Sequence, residues 1–432
     1  GFDQDSSVDI QSSGDIFVDG SITSSETNTS DNGGSIKILG DRIALKDNAK
    51  VSTSAANGGG EILIGGNYLG KGPEPNASAT VILEGAEITA DATNSGDGGR
   101  VIVWSDDYTN FAGSITAKGS TSGNGGFVET SSKDNLQVSG YVNAAGGQGG
   151  GTWLLDPRDV TITTTSSGGP DMAQLFTPTA DSATVKVSTI TTTLSDGNDV
   201  IITTNDSSGT AQKGNITISS DISSTATTDR TIRLVAANDI LVNADISSSA
   251  KKLNIKFEAE GDIVIGDSSN ATITTKGGSV TVSGSNSQGD LIPPATLGAE
   301  AGSFTIKSGS SINTTGAAGI AGGAVTIETA AQDADGLGAT DADIDIYGSI
   351  TTTGGAGSSS AGAIGGNVSF ETNNTGTITF FTGADLTTTG GAGDGAGNNG
   401  GNAGTVTLNT NTAIITLTDT IINTSGCLLY TS

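Results

Sequence analysis

The chain has no histidine, one cysteine (Cys427), one methionine and 7 prolines, and aromatic residues fill only 4% of its 432 positions. Without imidazole there is no Ser-His-Asp or Cys-His relay, no histidine metal ligand, and no side chain whose ordinary pKa lies near neutrality. A single cysteine excludes a disulfide framework and a thiolate zinc site, which needs about four nitrogen or sulfur ligands. Basic residues are also scarce: 18 Lys and Arg stand against 46 Asp and Glu, a formal charge of -28. Such a surface repels phosphate backbones and anionic lipid within a Debye length, so nucleic acid is not an expected partner. Neutral, cationic or metal-bridged partners remain. No transmembrane segment is expected.

What is present is small and repetitive. Gly accounts for 66 residues, and the Ile, Val, Leu and Phe content sits just above the range in which high net charge means disorder. The spacing of the apolar residues therefore decides whether the chain folds. Short alternating runs recur from end to end, among them Ser35-Ile-Lys-Ile-Leu39, Glu61-Ile-Leu-Ile64, Arg100-Val-Ile-Val-Trp104, Asp262-Ile-Val-Ile265 and Thr405-Val-Thr-Leu408. Each is β-branched and bounded by Gly, Asn, Asp or Ser, the pattern of half-buried strands. No stretch holds a 3.6-residue apolar period for three turns, so almost no helix is expected beyond one turn at Asp171 to Phe176.

The runs repeat with a period. Gly-Gly pairs end at Gly34, Gly60, Gly99, Gly126 and Gly151, separations of 26, 39, 27 and 25. The long step contains an insert, Asn67 to Ser78, so the underlying unit is about 25 residues. Later, Thr-Thr-Gly-Ala-Ala-Gly at 314 returns as Thr-Thr-Gly-Gly-Ala-Gly at 352 and 388, each followed by a strand: Val325-Thr-Ile-Glu-Thr329, Val368-Ser-Phe-Glu-Thr372 and Val406-Thr-Leu-Asn-Thr410. A unit this short cannot bury a face alone and must stack on its neighbours. The expected fold is all-β, a parallel β-helix (solenoid) of short strands, with about 18 to 20 coils. Asp341, Asp343 and Asp345 alternate with Ala342, Ile344 and Ile346, which puts the carboxylates on the solvent side of one strand. Breaks in texture divide the chain into a Gly-Gly repeat segment (1–158), a second segment after a Pro-containing connection (159–292), a Gly/Thr-rich segment (293–426) and a tail (427–432) expected to be foreign.

Three strings carry a resemblance: Gly123-Asn-Gly-Gly-Phe-Val-Glu-Thr-Ser131, Asn143-Ala-Ala-Gly-Gly147 and above all Gly150-Gly-Thr-Trp-Leu-Leu-Asp-Pro-Arg-Asp-Val-Thr-Ile162, whose core is Trp153, Leu154, Leu155, Asp156 and Pro157. They resemble the corresponding stretch of filamentous-haemagglutinin-like exoproteins, including high-molecular-weight adhesins of two-partner secretion. The segment from Ile190 to Ile265 also resembles the region that follows this motif in such proteins, whereas the last third of the chain is similar only in style. The resemblance implies a right-handed β-helical shaft and an internal fragment of a larger secreted or cell-surface adhesin of a Gram-negative bacterium. It also implies export of the parent protein through an outer-membrane transporter pore, and host or biofilm glycans or surface proteins as adhesion partners. Stalks of contact-dependent inhibition toxins and haem-acquisition exoproteins are the alternatives within the same style. Scarce cysteine fits passage of an unfolded chain through a pore, which closed disulfide loops would obstruct.

No catalytic residue is expected. A β-helical carbohydrate-active enzyme, the other class considered, needs acids converging on one face, whereas Asp106 and Asp107 are adjacent and point to opposite sides of a strand. A cofactor is not expected either, and haem lacks a histidine ligand. The one metal candidate is calcium at Asp333, Asp335, Asp341 and Asp343, hard oxygen ligands to which backbone carbonyls would add; its spacing matches neither an EF-hand nor a Gly-Gly-x-Gly-x-Asp roll. Trp104 and Trp153 are expected to fill irregular coils rather than stack on a ligand.

Overall fold

A computed structural model describes residues 6–24, 32–165, 174–180, 182–205, 212–284, 302–329, 342–372, 375–394 and 398–426. They belong to two compact units, Gly1–Ser207 and Ser208–Ser432. Each unit is a parallel β-solenoid in which three short strands make a coil and every third strand pairs in register.

In the first unit, Ser7–Gln11, Ser35–Leu39, Glu61–Ile64, Arg100–Val103, Phe127–Thr130, Thr152–Leu155 and Asp199–Thr203 form the first sheet. Its register follows the Gly-Gly spacing. Ser35 pairs with Glu61, Glu61 with Arg100, Arg100 with Phe127 and Phe127 with Thr152, steps of 26, 39, 27 and 25. The amide after each pair donates to the glycine one coil earlier: Glu61 to Gly34, Arg100 to Gly60, Phe127 to Gly99 and Thr152 to Gly126. Glycine is required there by close approach. A Cβ on Gly60 would stand 2.0 Å from the Gly34 carbonyl oxygen, and one on Gly99 2.2 Å from that of Gly60.

Alternation sends one set of side chains inward. Ile36, Ile62, Val101, Val128, Trp153 and Val200 stack as one fully buried or nearly buried row, each aliphatic side chain contributing roughly 1.5–3 kcal/mol on burial. The third sheet, Ser21–Thr23 to Tyr141–Asn143, ends against a helix, α1 (Val187–Ser195). Its β-branched sequence gave no helical signal. Thr189, Ile190, Thr193 and Leu194 nevertheless form one buried face, Thr193 Oγ1 donates to the Val142 carbonyl (3.1 Å) and Ala144 N donates to Asn198 Oδ1 (2.8 Å). The helix covers a sheet edge that would otherwise expose unpaired backbone. In the second sheet, Ala183–Lys186 lies between Asn135–Val138 and Val160–Thr163, so the connection doubles back before the stack resumes. Of the turn expected at Asp171 to Phe176, Asp171 to Ala173 lie outside the described residues; the amide of Thr177 closes one turn on the Gln174 carbonyl at 2.9 Å.

In the second unit the Thr-Thr-Gly units are rungs. Thr314, Thr352 and Thr388 are buried, and their hydroxyls donate to the carbonyls of Gly323 (2.6 Å), Gly366 (2.7 Å) and Gly404 (2.9 Å). The strands that follow, Val325–Thr329, Val368–Thr372 and Val406–Thr410, pair residue for residue. Ala342, Ile344 and Ile346 are buried while Asp343 and Asp345 are not, as the alternation requires. The first sheet has seven described strands in the first unit and six in the second, fewer than the number expected. Val280, Val325, Val368 and Val406 are successive partners, 45, 43 and 38 residues apart, because the segments between the strands of a coil are longer here than in the first unit.

Candidate functional site

The motif from Trp153 to Pro157 is part of the stack itself. Trp153 is fully buried between Val128 and Val200, and its Nε1 donates to Thr130 Oγ1 at 3.0 Å. Leu154 and Leu155 are also fully buried. Asp156 ends the strand: it accepts from Thr203 Oγ1 (2.8 Å) and Asn205 Nδ2 (2.7 Å), while its amide donates to Ser131 Oγ (3.1 Å). The Pro157 carbonyl accepts from the Asn205 amide at 3.3 Å. All these groups tie one coil to the next.

A second carboxyl is buried beside it. Glu129 sits on the outward side of the first sheet, in register with Ile102 and Leu154, yet it is fully buried. The cover is the insert Asn67 to Ser78. Its Leu69 amide donates to Glu129, Leu69 itself adopting a left-handed φ of 55°. Tyr68 meets Phe127 edge-on, with centroids 5.8 Å apart, and Arg100 lies 5.4 Å from the Tyr68 ring. Trp104 packs with Leu63 and Ile102 beneath the insert, and Asn76 Nδ2 donates to Asp106 Oδ1 at 3.0 Å. Lys37 Nζ donates to Glu74 Oε1 at 2.5 Å and Asn67 donates to the other oxygen of Glu74.

Electrostatics separates these acids. Burial, reinforced by neighbouring Asp156, pushes the Glu129 carboxyl up to about 8. Burial also raises Asp156, against the opposing pull of its Thr203 and Asn205 hydrogen bonds. Glu74, held by hydrogen bonds from Lys37 and Asn67, falls to about 2. Glu129 and Asp156 are both sealed from solvent.

Open space lies on the outer face of the second sheet. The segment 174–178 crosses this face, with Leu175 packed on Ala44, Val81 and Tyr108. Two clefts flank Phe176. One, about 430 Å³, is lined by Asp15, Phe17, Arg42, Lys46, Gln174 and Thr177 among others; the second, about 310 Å³, by Arg42, Ser78, Asp107, Asp134, Asn135 and Pro178 among others. Arg42 forks onto Asp15 at 2.8 and 2.7 Å and lies 5.0 Å from the Phe176 ring.

Of the calcium candidates, Asp333, Asp335 and Asp341 lie outside the described residues, as does the tail 427–432. Asp343 accepts from the amide (2.6 Å) and hydroxyl (2.8 Å) of Thr377 one coil on. Among the described residues no group of three or more acidic or thiol side chains is gathered as metal ligands, and no helix is long and apolar enough to cross a membrane. Asp106 and Asp107 lie in the bend between Arg100–Val103 and Tyr108–Phe111 and not on a strand, Asp106 accepting from Asn76 of the insert and Asp107 lining the smaller cleft. The burial of Glu129 and the clefts beside Phe176 had no signal in the local pattern, since both are made by segments distant in sequence. No protein-family model matches the chain, and no curated protein matches it.

Proposed function

We propose that this chain is a non-catalytic shaft segment of a large secreted or surface-displayed bacterial exoprotein of the filamentous-haemagglutinin-like kind, supporting adhesion. The observation that carries the reading is the placement of the resembling strings. Gly125 and Gly126 lie on one coil and Trp153 and Asp156 on the next, and their polar groups are spent on neighbouring coils. A solenoid of this kind gains stability by adding like coils and gives length for little sequence information. The charge of -28 keeps such a surface soluble. Glu129 and Asp156, whose pKa values burial raises, are sealed, which supports a structural role for them over an acid–base one.

The test is localisation of the parent protein. Antibody against residues 1–432 is expected to label intact cells of the source bacterium, and deletion of the partner pore gene is expected to abolish labelling. Retention inside the cell, or labelling that persists without a pore, contradicts the reading.

A further inference from the structure

We infer that the last described coil, Val406–Thr410, Ile415–Leu417 and Ile421–Asn423, receives the first coil of a second copy, Ser7–Gln11, Asp15–Val18 and Ser21–Thr23, in a head-to-tail contact that continues the parallel ladder. The contact goes beyond the shaft reading and does not depend on export.

The first observation is an open apolar edge. Ile415, Leu417 and Ile422 are 40, 50 and 37% exposed, whereas Ile378, Phe380 and Leu386, their partners one coil earlier, are fully buried. Each of the three strands stands at the edge of its sheet. Sheet edges are ordinarily blunted by charge or proline. None of the residues in these strands is either. The register shows where charge drops out: Glu328 pairs with Glu371, but Glu371 pairs with Asn409 and Asp385 with Ile421.

The second observation is a matching edge. Val8, Ile10, Ile16 and Ile22 are only half-buried, while their partners one coil on, Ile36, Ile38, Ile43 and Val51, are sealed. Both edges carry the same inward pattern, two apolar residues in the first strand, two in the second and one in the third. Extending the register sets Val406 and Leu408 on Val8 and Ile10, Ile415 and Leu417 on Ile16 and Val18, and Ile422 on Ile22, about 4.8 Å apart. Asp9 and Asp15 then face Thr407 and Ile414, so no like charges meet.

The strand count selects the occupant. An extended peptide covers one strand edge, whereas a coil covers three at once, in the order and direction of the coil contacts within the chain. The two edges are different surfaces, so the contact is heterologous and a dimer keeps one edge of each kind free.

Sedimentation velocity of the full chain in a Cys427→Ser background, from about 1 to 100 µM, tests the contact. Dimers and larger species are expected to grow with concentration. Leu417→Lys with Ile422→Lys blocks one edge, and Ile16→Lys blocks the other; Ile22→Lys repeats the second block on a different strand. Each blocked chain, checked for its far-ultraviolet strand signal, is expected to self-associate at least about tenfold more weakly. An equimolar mixture of the two kinds is expected to form a dimer and nothing larger, because one open edge of each sort remains. Three outcomes overturn the assignment: a monomer at every concentration, undiminished self-association of either blocked chain, or a mixture that stays monomeric.

Discussion

The main-chain amide of Leu69 donates to the carboxyl of Glu129, sixty residues away, at 3.1 Å from one oxygen and 3.3 Å from the other. An insert that interrupts the coil repeat is thereby clasped to an acid on the outer face of the stack, and the acid is held in its protonated form near neutrality.

A pH dependence follows. The folded-state value of about 8 lies above the ordinary 4.5, so the native chain holds a proton that the unfolded chain releases. The stabilisation is fully present below about pH 4.5 and is lost as pH rises toward 8, on the order of 5 kcal/mol in all at about 1.36 kcal/mol per unit. Asp156, raised by the same burial, acts in the same direction. Urea denaturation of the chain from pH 5 to 9 is expected to show stability falling with pH. Glu129→Gln, which cannot ionise, is expected to flatten most of that slope and to be the more stable protein at pH 8.

Glycine at the rungs is tested by a matched pair. Gly60→Ala drives a Cβ to 2.0 Å from the Gly34 carbonyl oxygen, whereas at Gly20 a Cβ meets nothing within 4 Å. The first substitution is expected to destabilise by about 1–3 kcal/mol or more and the second by less than about 1 kcal/mol. Thermal unfolding of both variants measures the difference.

Trp153→Ala removes the largest fully buried side chain and strands the Thr130 hydroxyl. A loss of roughly 3–5 kcal/mol is expected from the cavity, read as a lower denaturation midpoint with unchanged far-ultraviolet strand signal.

In the second unit, Thr352→Val keeps the shape of a buried side chain and removes the donor to the Gly366 carbonyl at 2.7 Å. A cost of about 1–3 kcal/mol is expected. Thr353→Val, at a partly exposed neighbour, is expected to cost under about 0.5 kcal/mol.

The legible part of this fold was whatever repeats locally. Gly34, Gly60, Gly99, Gly126 and Gly151 announce the register because close backbone contact allows nothing larger there. Thr314, Thr352 and Thr388 announce it because the same hydroxyl recurs at the same corner. The number of described coils falls below about 18 to 20 because the segments between strands can lengthen without disturbing the ladder, and the 38- and 36-residue steps from Thr314 to Thr352 to Thr388 are those of the register itself. Helix α1 was hidden because Val187, Thr189, Ile190 and Thr193 favour strand intrinsically, and only packing against Val142 and the end of the third sheet overrides that preference. The burial of Glu129 has no sign in the sequence around it, since no local pattern tells of an insert folding back over it. Asn135 and Phe176 become neighbours only because the connection after Pro157 returns across the second sheet.

The central claim is that recurring motifs are rungs of a parallel ladder, and a pair of engineered disulfides tests it directly. Ser369 and Thr407 are register partners on adjacent coils, so their Cα atoms are about 4.8 Å apart, within disulfide range. Ser369 and Asn409 are offset by two residues and stand about 8 Å apart, beyond it. In a Cys427→Ser background, the pair Ser369→Cys with Thr407→Cys is expected to oxidise to an intramolecular disulfide seen by peptide mapping, and Ser369→Cys with Asn409→Cys to remain reduced. Equal oxidation of both pairs, or oxidation of the second alone, would contradict the ladder.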